Sequence, residues 1–306
     1  MAPVTIYTKP LTTAQAERLR MLLLERGFAF EVKPYMLYAA SGQKVSVAVY
    51  EKGPKIVVQG KGTQDFVQFI LEPEVLGTVE LGYDDVLHPE RYTPHIGVDE
   101  SGKGDFFGPL VIAGAYVDAS MTGRLVELGV MDSKRIGSDA RMEALAGQMR
   151  GLGLVHEVIV IGPERYNELH TKFGNLNSLL AWGHARVIEN LLDRVPDCPR
   201  ALSDQFANPK VLQKALLERG KSIIMEQRTK AESDPAVAAA SILAREKFIQ
   251  WLARNGARWG APLPRGASAL VKETATRIVA TEGRDALGKL AKLHFRTTND
   301  IAVEEK

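Results

Sequence analysis

The sequence predicts an α/β protein built in two parts, a small N-terminal α+β module followed by a mixed sheet flanked by helices. Three observations point that way. At 306 residues the chain exceeds one typical domain. Up to about residue 71 it sets two helical segments among short β-rich runs, and from residue 95 a strand hairpin passes into alternating strands and helices. Its composition, 45% hydrophobic and 25% charged, is that of an ordinary globular protein.

Within the module, Thr12-Thr13-Ala14-Gln15 has the form of a capping box. Leu19, Leu22, Leu23 and Leu24 then supply one apolar helix face, and Gly27 suits the C-terminal end. Residues 28–33, 35–40, 44–51 and 55–59 are short β-rich runs separated by turn signals at Pro34, Ser41-Gly42 and Gly53-Pro54. They predict an antiparallel meander. A second helix over 63–71 closes the unit before Pro73, giving the order β-α-β-β-β-β-α for residues 1–75. Residues 76–93, with Gly77, Gly82 and Pro89, read as a linker. In residues 94–306 the hairpin is followed by helices near 119–129 and 138–151, a β run over 154–161 and a helix over 176–192. A strand near 200–204, a helix over 209–219, a strand over 222–227 and a long alanine-rich helix over 234–255 complete the alternation.

The hairpin carries the densest chemistry. A strand bounded by Pro94 runs through Ile96 and Val98 to Asp99 and Glu100, and Ser101-Gly102-Lys103-Gly104 turns the chain toward the apolar run from Leu110 to Val117. Successive strand side chains face opposite ways, so the two acids are expected to share a site only if pairing ends or bulges between them. Gly97 to Lys103 also fits most of a phosphate-binding P-loop. Gly104 stands where that motif needs Ser or Thr, and a β run follows where it needs a helix, which excludes the reading.

Net charge is only +2, but its distribution is uneven. Residues 1–62 hold nine Lys or Arg against four acids, and residues 63–90 hold seven acids and no base. Lys44, Lys52, Lys55 and Lys61, with Tyr35 and Tyr38, are expected to give the module a basic, aromatic-bearing sheet face able to hold a duplex by its backbone. Lys289, Lys292 and Arg296 around His294 form a second small basic cluster. The single Cys198 excludes an internal disulfide and reads as a structural thiol. None of the six histidines pairs at ligand spacing. No apolar run approaches the ~18 residues of a membrane span and the N-terminus lacks a secretory signal, so a cytoplasmic protein is expected.

Four stretches resemble ribonuclease HIII, a bacterial member of the type 2 ribonuclease H group. They are Asp99-Glu100-Ser101-Gly102-Lys103-Gly104, Met131-Asp132-Ser133-Lys134, Leu202-Ser203-Asp204, and Lys230-Ala231-Glu232 leading into Ala238-Ala239-Ala240-Ser241-Ile242. The resemblance implies a ribonuclease H-like fold for 94–306 and a substrate-binding module of the TATA-binding-protein type for 1–75. It also implies a metal-dependent endoribonuclease that hydrolyses the RNA strand of RNA–DNA hybrids to 3′-hydroxyl and 5′-phosphate ends. Its four catalytic and metal-binding acids fall on Asp99, Glu100, Asp204 and Glu232, around two Mg2+ or Mn2+ ions. Hard divalent ions call for such clustered oxygen ligands. Asp234 lies two residues from Glu232, suits the N-cap of the alanine-rich helix, and leaves open which of the two acids is the ligand. Gly102, Lys103 and Gly104 are expected to grip the ribose 2′-hydroxyl and backbone, with Lys134 as a phosphate contact; Asp132 shapes its loop. The expected partner is the hybrid duplex, with no membrane and no obligate protein partner. The alternatives are a ribonuclease HII-like preference for single ribonucleotides in duplex DNA, which the N-terminal module and Gly-Lys-Gly turn disfavour, and a non-catalytic nucleic-acid-binding protein. Four clustered acids disfavour the latter, because uncompensated carboxylates repel phosphate unless a metal bridges them.

Overall fold

A computed structural model of the chain describes residues 4–78, 88–130, 136, 138–205, 209–217, 220–229 and 231–301. Two compact units emerge, residues 1–90 and 91–306.

In the first unit, strand β1 (Ile6–Pro10) is followed by helix α1 (Thr13–Glu25), β2 (Ala29–Glu31), β3 (Met36–Gly42), β4 (Val45–Tyr50), β5 (Lys55–Gln59) and α2 (Thr63–Phe66). The capping box forms: Gln15 N donates to Thr12 Oγ1 at 3.2 Å and Thr12 N to Gln15 Oε1 at 2.9 Å. The strands pair antiparallel in the order β1-β5-β4-β3-β2. Val47, Val49, Ile56 and Val58 face inward against Leu19, Leu23, Phe66 and Leu71. The second helix does not stop before Pro73. It continues as a π-helix, Val67–Leu76, and ends at Gly77 with φ +68°. A wider helical turn moves the preceding carbonyl away from the proline ring, which is the clash that ends an α-helix.

The basic, aromatic sheet face is not formed. A β-bulge between Met36 and Tyr38 shifts the register of β3 and turns Tyr38 into the core, where its hydroxyl donates to Ala16 O at 2.7 Å. Thr8, Val57, Ala48 and Ala39 stand side by side across the outer face. The cations sit at and beyond the strand ends instead. Lys44 and Lys61 line a hollow of ≈ 760 Å³ with Arg26 at one end, and Lys52 and Lys55 lie beside Tyr35 and Tyr50 at the other.

The second unit holds β6 (His95–Ser101), β7 (Leu110–Val117), α3 (Ala119–Glu127), α4 (Asp139–Gly151) and β8 (Val155–Ile161). Then follow α5 (Pro163–Phe173), α6 (Leu176–Leu192), β9 (Arg200–Asp204), α7 (Pro209–Ala215), β10 (Ile224–Arg228) and the 22-residue α8 (Pro235–Gly256). The sheet runs β10-β9-β6-β7-β8, with β10, β9 and β6 parallel and β6, β7 and β8 antiparallel. This is the mixed sheet the sequence predicts. Alternation along β7 serves both layers: Val111, Ala113, Ala115 and Val117 pack under α8, while Leu110 and Ile112 pack under α6. Close approach is part of the design, since a Cβ on Gly97 would lie 2.3 Å from Ala236 C and Val237 N of α8.

Three features differ from expectation. Helix α5, opened by Pro163 and closed by Gly174 in the left-handed conformation, lay in a stretch with no assigned element. So did a C-terminal layer of α9 (Ala269–Glu282), α10 (Arg284–Gly288) and α11 (Thr297–Asp300) that packs Val271, Ala275 and Ile278 into the core. Within the expected linker, residues 79–87 lie outside the described residues and Pro89–Tyr92 form a 3-10 turn. Cys198 is buried with its thiol against Arg200 O at 3.3 Å, and burial pushes its pKa up, which suits a structural thiol. No helix among the described residues is long and apolar enough to cross a membrane.

Candidate active site

Strand β6 reaches its end with no irregularity between the two acids. Its ladder with β7 runs evenly through Asp99↔Ala113, Glu100↔Ile112 and Ser101↔Val111, whereas its ladder with β9 stops at Val98↔Ser203. Of the two irregularities expected, the bulge is absent, and pairing ends on the β9 side alone, one residue before Asp99. Asp99 and Glu100 do face opposite ways: Ser241 of α8 bonds Asp99, and His184 Nε2 of α6 meets Glu100 Oε2 at 3.0 Å. They reach one cavity because β6 projects past its neighbour and the cavity wraps around the strand end. That cavity, ≈ 280 Å³, is lined by Asp99, Glu100, Ser101, Asp204, Glu232, Ser241 and Arg245.

Asp204 arrives as the last residue of the parallel strand β9, half-buried, with its Oδ1 accepting from Ala231 N at 3.3 Å. Glu232 is carried by the one-turn 3-10 segment Ala231–Ser233 that precedes α8. Asp234 is committed elsewhere. Its Oδ1 accepts from Ala236 N at 2.9 Å and Val237 N at 3.3 Å, capping α8, while His95 Nε2 lies 2.9 Å from the same oxygen. Of these two acids, Glu232 is the one on the cavity wall.

The electrostatics set the carboxylates apart. Burial, reinforced by the charge of Glu100 and more weakly by Asp204, pushes Asp99 up to about 7 against the bonds from Ser241 and the Glu100 backbone. Burial works in the same sense on Glu100, but His184 and then Lys103, whose Nζ lies 3.4 Å from Oε1, outweigh it and hold Glu100 below the usual carboxylate range. Gly102 has φ +87°, and a Cβ there would stand 2.2 Å from Pro109 O, so only glycine makes this turn. Gly104 faces open space.

Lys134 and Asp132 lie outside the described residues. The C-terminal basic cluster is not an exposed patch: Lys292 is fully buried, and His294 stacks on His170 with centroids 4.3 Å apart. Three cavity-side residues went unassigned in the sequence. Ser241 and Arg245 sit one turn apart on α8, a spacing that places them on one face, but the alanines around them read as core. His184 is embedded in an apolar helix, where a histidine reads as packing. Arg245 forms no hydrogen bond or ion pair among the described residues, which leaves a permanent cation at the edge of a carboxylate-lined cavity.

A family model described as Ribonuclease HII matches residues 96–298. Among known proteins, the chain is 40% identical over 301 residues to the ribonuclease HIII of Protochlamydia amoebophila (strain UWE25), covering 98% of each. It is 43% identical over 299 residues to that of Chlamydia abortus (strain DSM 27085 / S26/3), covering 97% of each. Among solved structures it is similar to Bst-RNase HIII in complex with Mn2+, with TM-score 0.65 and 27% identity over 97% of this chain and 98% of that one. The match to RNase HII in its PCNA complex from Archaeoglobus fulgidus has TM-score 0.57 and 27% identity, and covers 69% of this chain and 98% of that one.

Proposed function

The chain belongs to the ribonuclease HII family, matching ribonucleases HIII along nearly its whole length, and we propose that it hydrolyses the RNA strand of RNA–DNA hybrids to 3′-hydroxyl and 5′-phosphate ends. The observation that carries this reading is the convergence of Asp99, Glu100, Asp204 and Glu232 on one cavity beside the Gly102-Lys103-Gly104 turn. The full-length similarity to ribonucleases HIII favours it over a ribonuclease HII-like preference, since the RNase HII match covers 69% of the chain.

The donor set fits hard divalent cations: four carboxylates, no thiol, and a half-buried Asp99 with no ion-pair partner among the described residues. Among the described residues no three such groups stand close enough together to hold an ion by themselves. Magnesium characteristically keeps waters and takes one or two carboxylates together with substrate phosphate oxygens, so a lined wall suffices. Bound by these four acids, two Mg2+ or Mn2+ ions would activate water and neutralise the charge that develops on the phosphate.

The chain's own groups then divide the remaining work. His184 orients Glu100 from the α6 side and Ser241 orients Asp99 from the α8 side, holding each carboxylate toward the cavity. Arg245 offers a bidentate fork to a phosphate of the cut strand. Lys103 must leave Glu100 to reach the backbone of the duplex, and the amides of the glycine turn approach the 2′-hydroxyl that marks the RNA strand.

The test is cleavage of a labelled RNA–DNA hybrid with magnesium, manganese or chelator, beside double-stranded RNA and double-stranded DNA. Metal-dependent cutting of the RNA strand is expected. Tight hybrid binding with no cutting in either metal would show a non-catalytic binder. Residues 1–75 are proposed to hold the duplex, so a chain lacking them should show a KM for the hybrid raised about tenfold or more with kcat nearly kept, and a weaker salt dependence of binding. An unchanged KM would remove the binding role.

A further inference from the structure

The glycine turn is braced at Gly102, where a Cβ would meet Pro109 O and Phe248, and at Lys103 by Glu100. Asp105 N donates to Gly102 O at 3.3 Å, and Gly104 faces open space. The open side of the turn therefore takes its course from the segment that follows it. That segment, Asp105 to Gly108, is fastened from two sides by the C-terminal layer. Gly266 N donates to Asp105 Oδ1 at 2.6 Å, and Phe106 N donates to Gly266 O at 2.9 Å. On the other side Gly108 N donates to Leu290 O at 2.9 Å, and Lys292 N donates to Phe106 O at 2.8 Å.

Lys292 completes this fastening with its side chain. The ammonium is fully buried, and among the described residues no carboxylate lies within ion-pair distance of it. Nζ instead donates to the main-chain oxygens of Asp105 at 2.8 Å, Gly108 at 2.7 Å and Phe107 at 3.4 Å, so its three N–H groups match three carbonyls. Tyr166 and Phe248 wall it in, with ring centroids 5.7 and 5.9 Å away. Burial pushes its pKa down, and the charge of Asp105 opposes that shift. A methionine would fill the same volume without desolvating a charge, so packing does not account for lysine here. What the ammonium adds is a common point toward which three carbonyls must turn.

We propose that Lys292 is a positioning residue that sets the conformation of the Gly102-Lys103-Gly104 turn and, through it, the recognition of the RNA strand. This rests on the reading of that turn as the ribose contact. Lys292 never touches substrate, and the carboxylates reach the cavity through β6, β9 and α8 without it.

The experiment compares the intact protein with Lys292→Met, Lys103→Ala and Val271→Ala, the last loosening the same C-terminal layer without touching the turn. Steady-state constants are measured on an RNA–DNA hybrid and on a DNA duplex holding one ribonucleotide, with folded fraction from circular dichroism and affinity for Mn2+ alone from calorimetry. Lys292→Met is expected to raise KM for the hybrid about tenfold or more and to shift the kcat/KM ratio of the two substrates, with Mn2+ affinity kept within about twofold. Val271→Ala lowers only the folded fraction, which scales both substrates alike. If Lys292→Met does not fold, Lys292→Gln, which still donates two N–H groups, takes its place and is expected to raise KM and shift the ratio in the same direction by less. A folded Met or Gln variant with the original KM and ratio, beside a Lys103→Ala variant whose KM rises, overturns the proposal. Lys103→Ala with the original KM and ratio overturns the reading of the turn instead.

Discussion

Asp99→Asn is expected to lower hybrid cleavage by roughly 10³-fold and at the same time to stabilise the metal-free protein at pH 8. The activity loss follows from removing the charge at the centre of the proposed ion site, where several kcal/mol of transition-state stabilisation are at stake. The stability gain follows from the same residue's surroundings. An unfolded chain ionises this carboxyl near its ordinary value of 3.8, whereas burial and Glu100 delay ionisation in the folded protein to about 7. Above pH 7 the folded state therefore carries a charge that the unfolded chain holds more cheaply, and the group works against folding by an amount on the order of a few kcal/mol. As pH falls below 7 toward 4 that penalty fades. Melting in chelator should show the Asn variant higher by several degrees at pH 8, with the gap narrowing at pH 5. An Asn variant that melts below the parent at pH 8 would overturn the electrostatic account, whatever its activity.

Gly97→Ala is expected to cost about 3 kcal/mol or more of stability and most of the activity. The new methyl would meet Ala236 C and Val237 N at 2.3 Å, and these are backbone atoms in the first turn of α8, with no rotamer to yield. Helix α8 must move outward, and it carries Ser241 and Arg245 on one side of the cavity while Glu232 directly precedes it. Denaturant unfolding checks the first effect and metal-dependent cleavage the second. A stability loss under about 1 kcal/mol would mean that β6 and α8 are less tightly apposed than the structure has them.

Features encoded by a few neighbouring residues were legible in the sequence. The Thr12 capping box, the strand ending in Asp99-Glu100, the obligatory glycine at 102 and the onset of the alanine-rich helix at Asp234 each have a local cause. Features that depend on what lies across the fold were not. Tyr38 reads as a surface aromatic until the bulge in β3 turns it inward. Two adjacent acids on a regular strand need a break or a bulge in the pairing only if the site lies on one face of the sheet; a cavity around a projecting strand end removes the need. Lys292 and His184 look like a surface cation and a core histidine, because the carbonyls and the carboxylate they serve lie far away in sequence. Helix α5 carries its apolar stripe, Pro163, Tyr166, Leu169 and Phe173, in only eleven residues rich in charge, which makes it easy to pass over in the sequence.

The wide separation of cooperating segments also governs when the protein becomes active as it is made. His95 and Asp234 are bonded across 139 positions, and the ammonium that fastens the glycine turn comes 187 positions after Asp105. A ribosome needs on the order of ten seconds or more to cover such a span. For the first half of the longer span the strand bearing Asp99 and Glu100 has neither β9 nor α8 beside it, so the nascent chain carries half of a carboxylate site. Contacts this remote in sequence also slow folding after release. Assembly of the four carboxylates thus waits on the start of α8, and the fastening of the glycine turn waits longer, on the layer that carries Lys292.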